Sequence, residues 1–442
     1  VKDNWAGLTP EERRQERFKQ WLSPDVKFTS PQAEEAYKKR TTRFIKAISL
    51  EEPDRVPVWL PAANFPAFYA GGNLKKVMYD YEEMKRAWRK FLLEFEMDTF
   101  GGPGLVFPGR VFDRVGYKLH VWPGHGLSDD AETHQFVESE VMKADEYDAL
   151  IRDPSDFWLR FFLPRAAKAL EPLQTLTQLT PMVGIPIFYF IQYGRPEIQE
   201  ALKALMDAGT EGMKWQEAVM ESSREVMEAG LPSLWGGLSG APFDMVGDFL
   251  RGTQGIMLDM YRQPDKIIEA MERMVPIVID EAVASADATG CPVIIMPLHK
   301  GDDNFMSDKQ FESFYWPTFR KVMMGMIDQG LVPMPFAEGS YNRRLEVIKD
   351  LPRASAVWWF DRTDMARAKE VLGDTACIAG NIPVSILRTG SHQDVKECCR
   401  QLIQVCAPGG GYILTGGAAI DKGNPDNLRA IMEAAKEYGV YK

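Results

Sequence analysis

From Arg55 onward, short apolar runs alternate with amphipathic stretches of roughly 10 to 20 residues, the pattern of β-α units on a parallel sheet. The apolar runs predict strands over 56–60, 232–238, 293–298, 332–337, 356–360, 375–379 and 412–415, with weaker signals near Thr99 and over 182–187. The amphipathic stretches predict helices over 81–95, 196–229, 264–289, 308–329, 341–350, 365–372 and 394–406. Several strands are followed at once by Gly, Asp, Asn or His. In a closed parallel barrel the residues just past each strand's C-terminal end share one rim, so these polar residues would converge.

The chain before this alternation reads differently. Residues 1–45 form a polar helical extension, in which Thr9 caps a helix that has Pro10 in its first turn, and it is expected to pack outside the core. Residues 46–442 form the main domain, with an insertion over about 103–173. That insertion carries Pro108-Gly109, Pro123-Gly124-His125-Gly126 and Ser128-Asp129-Asp130, which are turn signals, between β-like runs such as 117–122. A β-hairpin lid over the barrel mouth and a plain structural excursion fit it equally.

Composition narrows the function classes. A chain of 442 residues with 45% hydrophobic residues can bury a large core. Its net charge of −11, without a basic run, disfavours nucleic acid or an anionic membrane as the main partner, and a small molecule or a protein fits better. The five cysteines, Cys291, Cys377, Cys398, Cys399 and Cys406, show no CxxC or metal-type spacing and read as reduced, mostly buried thiols. No run approaches the roughly 18 apolar residues of a membrane span, and residues 5–18 are charged where a secretory signal is apolar, so a cytoplasmic location is expected.

Several segments carry a resemblance. Arg55-Val56-Pro57-Val58-Trp59, Leu238-Ser239-Gly240-Ala241-Pro242-Phe243 followed by Tyr261-Arg262-Gln263-Pro264, Ala379-Gly380-Asn381-Ile382-Pro383, and Gly411-Tyr412-Ile413-Leu414 with Asn424-Pro425-Asp426-Asn427-Leu428 together resemble the uroporphyrinogen decarboxylase superfamily over about 40–440. The resemblance implies an α/β fold of the TIM (β/α)8 barrel type, here with an N-terminal helical extension and an inserted lid-like segment.

Departures from the family pattern shape the functional reading. A decarboxylase of this type follows its first strand with arginine to hold a four-acetate porphyrinogen. Here the stretch is Leu60-Pro61-Ala62-Ala63-Asn64-Phe65-Pro66. The closing turn, which resembles NLGHG in the family, reads Thr415-Gly416-Gly417-Ala418-Ala419 without histidine. The resemblance therefore points to the other branch, methyltransferases that work with a corrinoid carried by a separate corrinoid-binding protein. Thiol-methylating members of that branch hold zinc with an HxC pair and a late cysteine. The matching places are Phe336-Ala337-Glu338-Gly339 and the vicinity of Ala418, so both cysteine ligands are missing.

What remains is His299, directly after the apolar run 293–298, and Glu338, directly after 332–337, on adjacent strand ends. Both are expected as metal ligands, with zinc the suitable ion, or as acid-base groups. The bland alternatives are a histidine satisfied by a nearby carbonyl or carboxylate, and a Glu338 ion pair with Arg343 or Arg344. Asp361, at the end of 358–360, is a third catalytic candidate, unless Arg362 simply pairs with it. Asn64, Tyr69, Tyr189 and Asp302 are candidate substrate contacts; Asp302 and Asp303 also suit an ordinary turn. His120, His125 and His134 fall in the insertion, where a solvated loop role is favoured.

These residue types suit cleavage of a methyl–oxygen bond, in which the corrinoid supplies the nucleophile and the protein assists the departing oxygen. A phenol, with a pKa of about 10, departs far more readily than an alkoxide. The aromatic content, including Trp59, Phe65, Phe68, Trp358 and Trp359 near strand ends, favours an aryl methyl ether as the small-molecule donor. The expected activity is thus methyl transfer from an O-methyl donor to a corrinoid protein, in the manner of an O-demethylase. Transfer from corrinoid to a thiol, a decarboxylase, or a catalytically inert binding barrel are the alternatives, and homodimerisation stays open.

Overall fold

The computed structural model describes Trp5, residues 7–179 and residues 186–441. Its frame is a parallel six-stranded sheet of β1 (Gly237–Leu238), β2 (Val293–Leu298), β3 (Val332–Ala337), β4 (Val357–Phe360), β5 (Cys377–Ala379) and β6 (Tyr412–Ile413), in that spatial order. Isolated parallel bridges extend the pairing beyond both edges: Val58 with Leu414, Trp59 with Thr99, and Phe100 with Ser233. The strands expected over 293–298 and 332–337 appear at those bounds, whereas the one expected over 232–238 is reduced to Gly237–Leu238. The segment 56–60 forms bridges rather than a ladder, because Pro57 has no N–H to give and the N–H of Val58 is taken by the Asp98 carboxylate at 2.8 Å.

Strand periodicity sorts the core into two layers. Val293 and Ile295 of β2 lie in one apolar cluster, whereas Ile294, Met296 and Leu298 lie in the cluster shared with the flanking helices. The same alternation puts Val332, Met334 and Phe336, Val357 and Trp359, and Cys377 and Ala379 on the first face, called the inner face below.

The N-terminal helices α1 (Pro10–Leu22) and α2 (Pro31–Ile48) correct one expectation. Thr9 does cap α1, in a capping box with Glu12. The extension does not lie outside the core, however. Phe18, Trp21, Phe44, Ala47 and Ile48 join the inner-face cluster beside Val293 and Val332, which begin their strands, and the Trp21 indole donates to the Ser233 carbonyl at 3.0 Å. The amphipathic stripes of α1 and α2 thus seal the N-terminal end of the sheet.

The insertion joins a short antiparallel strand pair, His120–Pro123 with Gln135–Phe136, to helical segments on either side. Its β structure is three short strands, His120–Pro123, Gly126–Leu127 and Gln135–Phe136, and helices follow from Tyr147–Arg152 onward. His120 and His134 are half-buried rather than solvated loop residues, and the His120 ring lies among Phe107, Phe112, Tyr117, His134 and Phe136 at centroid distances of 5.2 to 6.1 Å. The stretch expected as a helix over 341–350 is helical only at Leu345–Ile348, because Thr363 and Asp303 side chains capture the backbone N–H groups of Tyr341 and Arg343. Of the expected strand over 182–187, residues 182–185 lie outside the described residues, and Pro186–Phe190 is a helix. All five cysteines are free, four of them buried.

Candidate active site at the strand ends

Alternation along the strands decides which side chains extend the inner face past the strand ends. Two steps beyond Ile295 and Pro297 bring His299 to the inner face; one step beyond Phe336 brings Glu338, and one beyond Trp359 brings Asp361. Leu238, two positions beyond Gly236 at the end of β1, joins them and is 53% exposed. Beneath lies an aromatic floor, with Phe336 stacked on Trp359 at a centroid distance of 3.7 Å and Trp59 edge-on to Trp359 at 4.8 Å.

His299 is the hub. Its Nδ1 lies 2.6 Å from Asp248 Oδ2, and its Nε2 lies 3.6 Å from Glu338 Oε1. The side chains of His299 and Glu338 are 44% and 42% exposed, so both are accessible at the strand ends. Burial opposes a charge on the imidazole, but the Asp248 hydrogen bond and the charges of Glu338, Asp248 and Asp244 outweigh it and push its pKa up to about 9. The carboxyl of Glu338 is shifted up by its recessed position; His299 pulls it down, and the carboxylates of Asp244, Asp361 and Asp248 push it further up.

The cradle of His299 comes from the segment after β1. Asp244, on the short helix Pro242–Met245, accepts from the backbone N–H groups of His299 at 3.1 Å and Lys300 at 2.9 Å, and from the Tyr315 hydroxyl at 2.6 Å. Burial and the neighbouring Asp248 raise its pKa to about 6. Asp248 sits four residues on, in the π-helical turn Val246–Arg251. One of its oxygens meets His299 and the other the Lys300 ammonium. Burial disfavours its charge, but these two cations together hold its pKa below the ordinary carboxylate range. Reading the sequence does not single out Asp244, Asp248 or Lys300. The available signal is two aspartates at helical spacing immediately after a strand end, facing a His-Lys pair after the next strand.

The remaining candidates separate. Asp361 accepts from the Gly339 N–H at 3.1 Å and meets Arg362 at 3.3 Å, so it both supports the Glu338 turn and takes the bland ion pair. Asp302 is a turn residue, accepting from the backbone N–H groups of Ser340 and Asn304 at 2.7 Å each. Gly339 is required beside it, because its φ is +80° and a Cβ would run into the Asp302 carboxylate. Glu338 gains neither arginine, since Arg343 and Arg344 both bind Asp308. Asn64 is buried and holds Asp421 at 2.8 Å and the Glu132 carbonyl at 3.3 Å, which ties the insertion to the closing loop. Tyr69 is committed to Glu94 and Arg429, and Tyr189 to the Leu179 carbonyl and Tyr193; the contacts of these three residues do not include the His299 cluster.

Zinc was expected from His299 and Glu338. The Asp248 contact to Nδ1 is the kind of support that a metal-binding histidine has, but a catalytic zinc takes three protein ligands. Among the described residues no group of three or more His, Cys, Asp or Glu side chains is placed to hold a metal ion. The pair falls a ligand short, and no step below runs through a metal. What the arrangement can do unaided is present a protonated imidazole, flanked by carboxylates, to an atom bound above the aromatic floor.

A family model described as Uroporphyrinogen decarboxylase (URO-D) matches residues 216–438, just over half of the chain. Among solved structures, a methyltransferase from Methanosarcina mazei aligns over 90% of this chain and 98% of its own, with a TM-score of 0.56 at 14% sequence identity, a likeness of fold. No curated protein sequence matches the chain. Among the described residues no helix is long and apolar enough to cross a membrane.

Proposed function

Since the chain belongs to the uroporphyrinogen decarboxylase family, we propose that it is a methyltransferase of that superfamily, built on a β/α barrel that closes through the bridges at Val58, Trp59 and Phe100. Its donor is an O-methyl compound, preferably an aryl methyl ether, and its acceptor is the corrinoid of a separate protein docked over the mouth. The observation that carries this reading is the His299 imidazole, held at Nδ1 by Asp248 and presenting Nε2 beside Glu338 at the mouth.

The corrinoid, when docked, supplies a nucleophile for the methyl carbon. The carbon–oxygen bond breaks, and its electron pair stays on the donor oxygen. His299 delivers its Nε2 proton to that oxygen, so that a neutral phenol leaves. A pKa of about 9 suits the task, because the imidazole is protonated at neutral pH and close in acidity to the phenol it creates. Glu338, beside Nε2 and open to solvent, returns a proton to the imidazole. Asp248 keeps the ring oriented throughout. The exposed Leu238 and the Phe136–Phe249 pair offer the partner an apolar rim.

A decarboxylase acting on a polycarboxylate fits less well. Glu338 and Asp361 place carboxylates at the strand ends, and the Lys300 ammonium is already paired with Asp248. Incubating the protein with cob(I)alamin and a panel of methoxyarenes tests the proposal. Phenol release that requires His299 supports it; carbon dioxide release from uroporphyrinogen, without demethylation of any donor, contradicts it.

A further inference from the structure

The long helix Pro196–Glu228 has one side buried through Ile198, Ala201, Ala208, Ala218 and Val226. Its opposite side departs from the usual pattern of a surface helix, in which charged and polar residues face water. Met206, Met213 and Met220 stand there at intervals of seven residues, 65%, 71% and 56% exposed. Seven residues are close to two helical turns, so the three form one stripe along the helix. Between Met206 and Met213 the stripe is hollow, because the exposed Gly209 and Thr210 occupy the positions between them on that face. Packing among the described residues does not require Gly209: a Cβ there would stand in open space, and glycine weakens a helix.

Methionine suits a protein-binding surface, since its flexible thioether adapts to a partner. The segment before the helix adds Ile187, Phe188, Phe190 and Ile191, 58% to 71% exposed, and no charged residue occurs between Glu171 and Arg195. These seven side chains offer roughly 800 Å² of apolar surface, the amount each partner buries in a stable interface. Charge selects the partner. Lys203 and Glu217, both exposed, flank one edge of the stripe, and neither has an ion-pair partner among the described residues. We propose that this face binds a second copy of the same chain, with the two helices antiparallel about a two-fold axis level with residue 211. In that register each Met213 enters the hole formed by Met206, Gly209, Thr210 and Met213 of the other copy, and each Met206 enters the hole of Met213, Gln216, Glu217 and Met220. The same axis brings Lys203 of each copy alongside Glu217 of the other, so that two unpaired charges become two ion pairs. A parallel pair of helices would instead set Lys203 against Lys203 and Glu217 against Glu217.

Sedimentation velocity of the full chain over a wide range of concentrations tests it. Wild type is expected to sediment as a dimer. Met213→Glu, which brings two carboxylates together near the axis, weakens the dimer by about 100-fold or more while the circular dichroism stays that of the folded chain. Lys203→Glu and Glu217→Lys each weaken it about tenfold, and the double variant Lys203→Glu/Glu217→Lys recovers the wild-type constant, because the pairs are reversed rather than lost. A monomer at every concentration overturns the proposal, as does a dimer that Met213→Glu leaves untouched or a double variant no tighter than the single ones. A monomeric chain whose Met213→Glu variant loses turnover only with a separate corrinoid-binding protein, and keeps it with free cob(I)alamin, overturns the second copy and assigns the face to that protein.

Discussion

The Nδ1 atom of His299 lies 2.6 Å from Oδ2 of Asp248, while the other oxygen of that carboxylate meets Lys300, the next residue in the chain. One anion thus fixes two consecutive side chains, and the orientation of the imidazole follows from it. Asp248→Asn removes the charge and keeps the shape. The His299 pKa is expected to fall from about 9 toward the ordinary value near 6.5. A raised histidine pKa stabilises the fold fully below about pH 6.5, and that contribution disappears as pH rises through about 9. Because the side chain is almost half exposed, the discounted contribution is on the order of 1 kcal/mol. Histidine NMR titration of the two proteins checks this directly, with five imidazoles to assign.

Gly247 leaves room for Lys300. A Cβ there would stand 2.7 Å from Lys300 Cε and 2.8 Å from Cδ. Gly247→Ala should displace the ammonium from Asp248 at a cost of about 1–3 kcal/mol, seen as a lowered denaturant midpoint. Lys300→Met should retain more stability than Gly247→Ala, yet slow turnover with KM little changed, because Asp248 loses one of its two anchors.

The insertion should be acid-sensitive. Burial, reinforced by His134, lowers the His120 pKa to about 4, and burial lowers that of His134. A depressed histidine pKa stabilises the fold above about pH 6.5, and that contribution is lost as pH falls toward about 4. Proteolytic nicking within 117–137 should increase across that window, and His120→Phe, which keeps the aromatic packing without a titrating group, should suppress the increase.

Purified protein should carry less than one equivalent of zinc, and turnover should survive chelation, because His299 and Glu338 are one ligand short of a catalytic zinc site. Stoichiometric zinc that disappears in His299→Ala, measured by elemental analysis, would contradict this.

The central frame was legible in the sequence because β2 and β3 are continuous apolar runs flanked by clear helical periodicity, and the position of His299 and Glu338 on adjacent strand ends followed from those runs alone. The edges were less legible. Pro57 and the Asp98 carboxylate interrupt pairing at 56–60, and side chains from distant segments stop a helix before Leu345. The extension misled because α1 and α2 are polar overall, and only their spacing of Phe18, Trp21, Phe44 and Ile48 reveals a buried stripe. The spacing of Asn64, Tyr69 and Tyr189 does not reveal which groups they meet. Their partners, Asp421, Glu94, Arg429 and Leu179, come from elsewhere in the chain. Asp248 is not legible in the sequence because a carboxylate on a helix ordinarily faces solvent, and its burial depends on the His-Lys pair of the neighbouring unit.

The most direct test is the dependence of demethylation rate on leaving-group acidity, measured with cob(I)alamin and methoxyarenes whose phenols span several pKa values, for wild type and His299→Ala. Proton donation by His299 predicts a loss of about 100- to 10,000-fold for the least acidic phenols, shrinking steadily as the phenol becomes more acidic. Equal rates in the two proteins, or a loss that is the same for every leaving group, would contradict it.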